Sequence, residues 1–149
     1  MLNRYLTQGE TSIVGYTTGV FDLFHIGHLN ILKRAKDCCD ELIVGITTDE
    51  LTEKLKGNKP IIPFVERAEI ISSIKYVDTV IPQRDINELK DFEKLKFKVI
   101  FKGGDWKGTD KWNKLEPEFN KRGVKVIFFP YTKSTSSTKL RELINKKII

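Results

Sequence analysis

Short runs rich in Ile, Val and Phe alternate along the chain with longer segments whose apolar residues recur at helical spacing. The first kind suits strands buried on both faces, the second amphipathic helices, and their alternation is the pattern of βαβ units on a parallel sheet. "SIVGYT" (12–17) predicts a first strand, and residues 29–39 a helix with Ile31, Leu32 and Ala35 facing inward. "ELIVGITTD" (41–49) predicts a second strand, followed by a Lys/Gly/Pro loop, "EKLKGNKPIIP" (53–63). Pro63 marks a helix start, and "FVERAEIISSIK" places Phe64, Ala68, Ile71 and Ile74 on one helical face. "YVDTVIP" (76–82) is a short third strand, "INELKDFEKLK" (86–96) a helix, and "KVIFKGGD" (98–105) a fourth strand running into a glycine turn. "KWNKLEPEFNKR" (111–122) predicts an imperfect helix broken near Pro117, "VKVIFFP" (124–130) a fifth strand, and "SSTKLRELINKK" (136–147) a helix capped by its own Ser/Thr cluster. The expectation is an α/β fold: a single Rossmann-like doubly wound domain with a five-stranded parallel sheet over residues 1–149, residues 1–11 forming an N-terminal extension.

Composition narrows the class. The 149 residues are 40% hydrophobic and 31% charged, and no apolar run approaches the ~20 residues a membrane-spanning helix needs. "MLNRYLTQGETS" has no apolar h-region, so a cytoplasmic protein without membrane insertion is expected. Cys38 and Cys39 are adjacent, poor geometry for a mutual disulfide, and are read as reduced structural thiols. The net charge of +6 favours an anionic partner. Its lysines are spread through every segment with no arginine-rich, aromatic-interleaved patch, which argues against nucleic acid and for a small polyanion such as a nucleoside triphosphate.

In doubly wound sheets ligands bind outside the carboxyl ends of the strands, and the loops expected there hold the unusual residues. After the first strand come Thr18, Gly19, Phe21, Asp22, His25, Gly27 and His28; after the second, Asp49, Lys54 and Lys56; after the fourth, Asp105 and Trp106; after the fifth, Thr132, Ser134, Ser136, Ser137 and Thr138. The chain has two histidines, and both lie in the first of these loops. If a helix starts near Gly27, both imidazoles converge beside the free N–H groups of its positive end, and Gly27 lets a ligand approach the backbone: a phosphate site. Zinc-binding histidine pairs on a helix usually sit four apart with further ligands nearby, so no protein-held metal is expected.

"GVFDLFHIGH", followed in order by "ITTDE", "LKG", "ERAEIISSIKYVDTVIP", "GGDW" and "STSSTKL", resembles the HxGH nucleotidylyltransferase superfamily. Within it the chain looks like the cytidylyltransferase branch, and most like the glycerol-3-phosphate cytidylyltransferases. The resemblance implies that a phosphomonoester oxygen attacks the α-phosphorus of CTP, supplied with Mg²⁺, releasing pyrophosphate and forming a CDP-alcohol for cell-envelope or capsule polymers. It implies that His25, His28 and Lys56 act on the triphosphate, with Lys54 as an alternative cation near the reacting phosphates. Asp22 is placed near the nucleotide, and Asp49 either touches the nucleotide or caps the next segment. Arg67 reaches the acceptor phosphate, and Ser136, Ser137 and Thr138 hold the terminal phosphates. It also implies a homodimer through "IKYVDTVIP". Departures from the branch lie at Tyr131, which stands where an arginine is usual with Lys133 nearby, and at Lys75, also in place of an arginine. "KGGDW" and the insert after it are similar to the heptose-type sugar-phosphate adenylyltransferases. The alternatives are therefore an adenylyltransferase acting on a sugar phosphate such as heptose 1-phosphate and, from another class, a nucleotide-binding regulatory module without turnover.

Overall fold

The computed structural model describes residues 12–130 and 137–147. One parallel sheet runs in the order β3-β2-β1-β4-β5, from β1 (Val14–Gly19), β2 (Glu41–Thr47), β3 (Thr79–Gln83), β4 (Val99–Gly103) and β5 (Lys125–Phe129). Around it lie α1 (Ile26–Asp37), α2 (Asp49–Lys56), α3 (Phe64–Ser72), α4 (Glu88–Leu95), α5 (Asp110–Lys121) and α6 (Ser137–Lys147), with a 3₁₀ turn at Gly104–Trp106. The chain steps outward from β1 to β3 and then returns to lay β4 on the other side of β1. The β1/β4 boundary is thus the point where strand order reverses, as the Rossmann-like expectation requires.

Successive residues of a strand point to opposite faces, and both faces here are covered. Leu42, Val44, Ile46 and Phe101 pack with Leu32 and Ala35 of α1 and Ile71 of α3. Tyr16, Ile43 and Ile100 pack instead with Trp112 and Phe119 of α5 and Phe92 of α4. Two-sided burial is why these strands read as unbroken apolar runs rather than as alternation. Among the described residues, no helix is long and apolar enough to cross a membrane.

Several elements differ from expectation. Asp49 was expected to end the second strand and residues 53–56 to open a loop, but residues 49–56 form α2. The Thr48 side chain accepts from Leu51 N–H at 3.2 Å, Asp49 and Glu50 occupy the first turn, Lys54 and Lys56 the last, and Gly57 closes the helix at φ 85°. Each of these favours a helix; the Gly and Pro residues that suggested a loop begin only after it. α5 is not broken near Pro117 but continues through it. Pro117 is exposed while Trp112 and Phe119 are buried, so packing on the inner face outweighs one lost hydrogen bond on the outer. α1 begins at Ile26, ahead of the predicted residue 29, because His25 caps it. β1 extends past residue 17 because Thr18 and Gly19 pair with Gly45 and Ile46.

Candidate active site

The carboxyl ends of β1, β2 and β4 open onto a cleft of about 780 Å³, walled also by the starts of α1 and α6 and the end of α2. Its central feature is the loop between β1 and α1. Phe21 (φ 55°) and Leu23 (φ 51°) both occupy the left-handed region, a conformation that survives in non-glycine residues only where surrounding contacts over-determine it. Asp22, between them, supplies those contacts. Its carboxylate, in a residue 1% exposed, accepts from Ile61 N–H (2.8 Å), Ile62 N–H (2.9 Å), Leu23 N–H (3.1 Å) and the Arg141 guanidinium (2.9 Å). Its carbonyl accepts from Ser137 Oγ at 2.6 Å. Burial alone would raise the Asp22 pKa, but the N–H groups of Ile62 and Ile61 and the Arg141 guanidinium outweigh it and hold the carboxyl below its ordinary value. Asp22 lines the cleft as expected, yet its oxygens are engaged in fastening the first loop, the 61–62 stretch and α6 together.

The histidines cap α1 reciprocally. His25 Nδ1 accepts from Gly27 N–H at 3.0 Å, and His28 Nδ1 accepts from His25 N–H at 3.3 Å, a capping box built from imidazoles. A ring whose Nδ1 accepts carries its proton on Nε2 when neutral. Burial, reinforced by His25 and Arg141, pushes His28 down to about 3, and burial lowers His25 as well. Both rings are therefore neutral at pH 7, and each has an Nε2–H to donate. Their centroids lie 3.9 Å apart, with Phe24 stacked on His28 and the Phe21 ring edge-on to it. Two neutral donors are held rigidly beside a helix N-terminus.

Lys56 reaches the same cleft from the last turn of α2; burial against the wall, with Arg141 nearby, lowers its pKa, and Asp22 opposes that shift. Ser137 and Thr138 bring in the opening turn of α6, whose leading N–H groups have no intrahelical partners. Histidine Nε2–H groups, a lysine, hydroxyls and helix N-termini together can bind a polyanion and neutralise charge that develops on phosphate oxygens.

The cleft thus gathers Thr18, Gly19, Phe21, Asp22, His25, Gly27, His28, Lys56, Asp105, Ser137 and Thr138. Three expected residues lie elsewhere. Arg67 was expected at the acceptor phosphate, but it is 1% exposed and its guanidinium donates to the carbonyls of Ile62 (2.8 Å), Val20 (2.6 Å) and Thr47 (2.9 Å) and to Asp49 (2.6 Å). Its donors are committed to holding strand ends in place. Asp49 pairs with Arg67 and also accepts from Phe64 N–H at 3.2 Å, so it braces α3 rather than facing the cleft. Lys54 is an exposed residue of α2 outside the cleft lining, whereas Lys56 is within it. Thr132 and Ser136, with Tyr131, Lys133 and Ser134, lie outside the described residues.

Sequence reasoning missed Arg141, Glu88 and Lys102, all of which line the cleft. Arg141 had a faint signal, a cation one turn after Ser137 on the same helical face. Lys102 had a stronger one. It interrupts the apolar run of β4, where a lysine is out of place unless it serves a ligand or a partner. The residue is 8% exposed, donates to Thr18 Oγ1 at 3.1 Å and lies over the rings of Trp106 (4.9 Å) and Trp112 (5.5 Å). Burial pushes its pKa down to about 8, against the pull of Glu88.

The Cytidylyltransferase-like family model matches residues 16–143. The chain belongs to that family. This cytidylyltransferase-like nucleotidyltransferase is 35% identical over 127 residues to the glycerol-3-phosphate cytidylyltransferase of Staphylococcus aureus, covering 85% of this chain and 90% of the relative. It is 38% identical over 129 residues to the FAD synthase of Pyrococcus abyssi, covering 86% and 87%. Among solved structures, a lipopolysaccharide core biosynthesis protein from Thermoplasma volcanium superposes with a TM-score of 0.68 at 31% identity, covering 84% of this chain and all of that one. The names of the two sequence relatives differ in the activity they state.

Proposed function

We propose that this cytidylyltransferase-like chain transfers CMP from CTP to a small alcohol phosphate, with glycerol 3-phosphate as the leading acceptor, and releases pyrophosphate. The observation that carries the reading is the His25/His28 pair, two neutral Nε2–H donors fixed at a helix start and joined in one cleft by Lys56, Ser137 and Thr138. A phosphomonoester is already anionic near neutral pH, so its oxygen needs no strong base to attack the α-phosphorus as the bond to pyrophosphate breaks. The chain's task is then to align the two phosphates and to meet the negative charge shifting onto the leaving oxygens. In this reading the Nε2–H groups and Lys56 donate to those oxygens, while the hydroxyls and N–H groups opening α6 hold the terminal phosphates. Among the described residues no group of three His, Cys, Asp or Glu converges to hold a metal ion, and Mg²⁺ is assigned to the substrate as the metal–triphosphate complex. A homodimer in the cytoplasm completes the reading, supported by exposed apolar side chains at Ile61, Val65 and Ile70 and tested by sedimentation equilibrium.

A second reading, adenylyl transfer to a sugar phosphate, is favoured by Lys102 in "KGGDW" and by likeness to an FAD synthase and to a lipopolysaccharide core biosynthesis protein. The deciding experiment is pyrophosphate release with Mg²⁺, crossing CTP and ATP against glycerol 3-phosphate, phosphocholine, phosphoethanolamine, ribitol 5-phosphate and heptose 1-phosphate. Release with CTP and one small alcohol phosphate is the expected result. Preference for ATP with a sugar phosphate replaces it with the second reading, and triphosphate binding without release makes the chain a regulatory module.

A further inference from the structure

One wall of the cleft is built by Gln83 at the end of β3, Glu88 in the first turn of α4, Lys102 at the end of β4 and Lys111 of α5. None of the roles above uses it, although it holds a buried pair of opposite charge. Glu88 is 2% exposed; its Oε1 accepts from Lys111 Nζ at 2.9 Å, and its Oε2 has no hydrogen-bond partner among the described residues. A buried carboxylate oxygen left unbonded is costly, so its position on a cleft wall points to a donor carried by a ligand. Lys102 has three N–H donors to place and makes one hydrogen bond among the described residues, to Thr18.

Ligand chemistry can be narrowed from this wall. A phosphate brings no proton for Glu88 Oε2 and is repelled by it. A quaternary ammonium needs open aromatic faces, but Lys102 already lies over Trp106 and Trp112, and Lys111 approaches Trp106 at 6.0 Å. A hydroxyl satisfies both partners at once, donating to the carboxylate and accepting from the ammonium. We propose that Glu88 and Lys102 form a hydroxyl-reading subsite, Glu88 Oε2 accepting from a hydroxyl of a bound polyol or sugar and Lys102 Nζ donating to the same group. The proposal rests on the reading that the cleft joins a nucleotide to a phosphomonoester, and leaves two sources for the hydroxyl: the acceptor's polyol or the nucleotide's ribose. If the acceptor is the source, phosphocholine, which has no hydroxyl, is a poor acceptor.

Isothermal titration of the full chain separates the sources with two ligand pairs, glycerol 3-phosphate against propyl phosphate and CTP against 2′,3′-dideoxy-CTP. A hydrogen bond to a charged group predicts at least ~10-fold tighter binding of the hydroxylated member in one pair, and that pair names the source. In Glu88→Met and Lys102→Met the two members of that pair should bind within about 3-fold of each other, while inorganic pyrophosphate binds as to the wild type, showing an intact phosphate end. Should either variant fail to bind pyrophosphate, Glu88→Gln, of the same shape, decides: a hydroxyl preference reduced at least ~3-fold supports the subsite and an unchanged preference overturns it. Equal wild-type binding of both members in both pairs overturns it too, as does a uniform weakening of all ligands in the variants. Pyrophosphate release without hydroxyl preference sinks the subsite alone; hydroxyl preference without release sinks the proposed function alone.

Discussion

A histidine that accepts a backbone N–H at Nδ1 cannot be protonated there without giving up that bond, and His28 is so placed toward His25. Its pKa of about 3 in the folded chain, against 6.5 for the free side chain, means that the folded state binds fewer protons than the unfolded one between those values. Stability should therefore be complete above about pH 6.5 and fall as the pH drops toward 3. His28→Asn keeps an acceptor for the His25 N–H but does not titrate, so urea midpoints at about pH 4.5 and 7 should differ less in the variant than in the wild type. Equal losses would place the acid sensitivity elsewhere. In the proposed reaction, His28→Ala should lower kcat at least ~10²-fold, the usual loss for one donor to developing charge. Near-normal turnover of a folded variant would remove His28 from the catalytic set. This pair was legible in the sequence because both histidines of the chain flank one glycine at a strand end. Arg67 was not, because helical spacing gives the face of a helix but not the direction in which a long side chain reaches from it.

Helices α2 and α5 show how local signals compete. In α2 the cap at Thr48 and the charges at both ends were all present in the sequence, but the following "GNKPIIP" dominated the reading. In α5 a proline in the helix interior predicted a break, a sound expectation when its cost is about 3 kcal/mol. Trp112 and Phe119 pack into one core cluster with Leu115 beside them, and this tertiary burial overrides the local penalty. Pro117→Ala should therefore stabilise the protein, restoring an N–H opposite the Asn113 carbonyl at some cost in unfolded-chain entropy. The expected net gain is about 1–2 kcal/mol, a rise in Tm of several degrees by calorimetry. An unchanged or lower Tm would mean that the helix had already adjusted to its proline.

Arg67 ties α3 to three stretches of the chain through the carbonyls of Val20, Thr47 and Ile62 and the carboxylate of Asp49. Lysine carries the charge but not the planar fork, so Arg67→Lys should destabilise the fold by about 1–3 kcal/mol, the usual cost of leaving a buried acceptor without its donor. Guanidinium chloride unfolding measures it. A stable variant with a raised acceptor KM would return Arg67 to the phosphate-binding role first expected of it. The sheet was readable because two-sided burial leaves unbroken apolar runs, and the position of the cleft followed from topology. Which charged groups turn inward at Asp22, Glu88 and Lys102 was not readable, because that depends on partners far away in the chain. Ser137 and Arg141 reach Asp22 across separations of 115 and 119 residues, loops whose closure is costly in chain entropy. During synthesis the histidine loop leaves the ribosome long before the helix that fastens it. A nascent chain can thus pair all five strands before the wall of the cleft that α6 supplies is in place, and the cleft is complete only once α6 docks on Asp22.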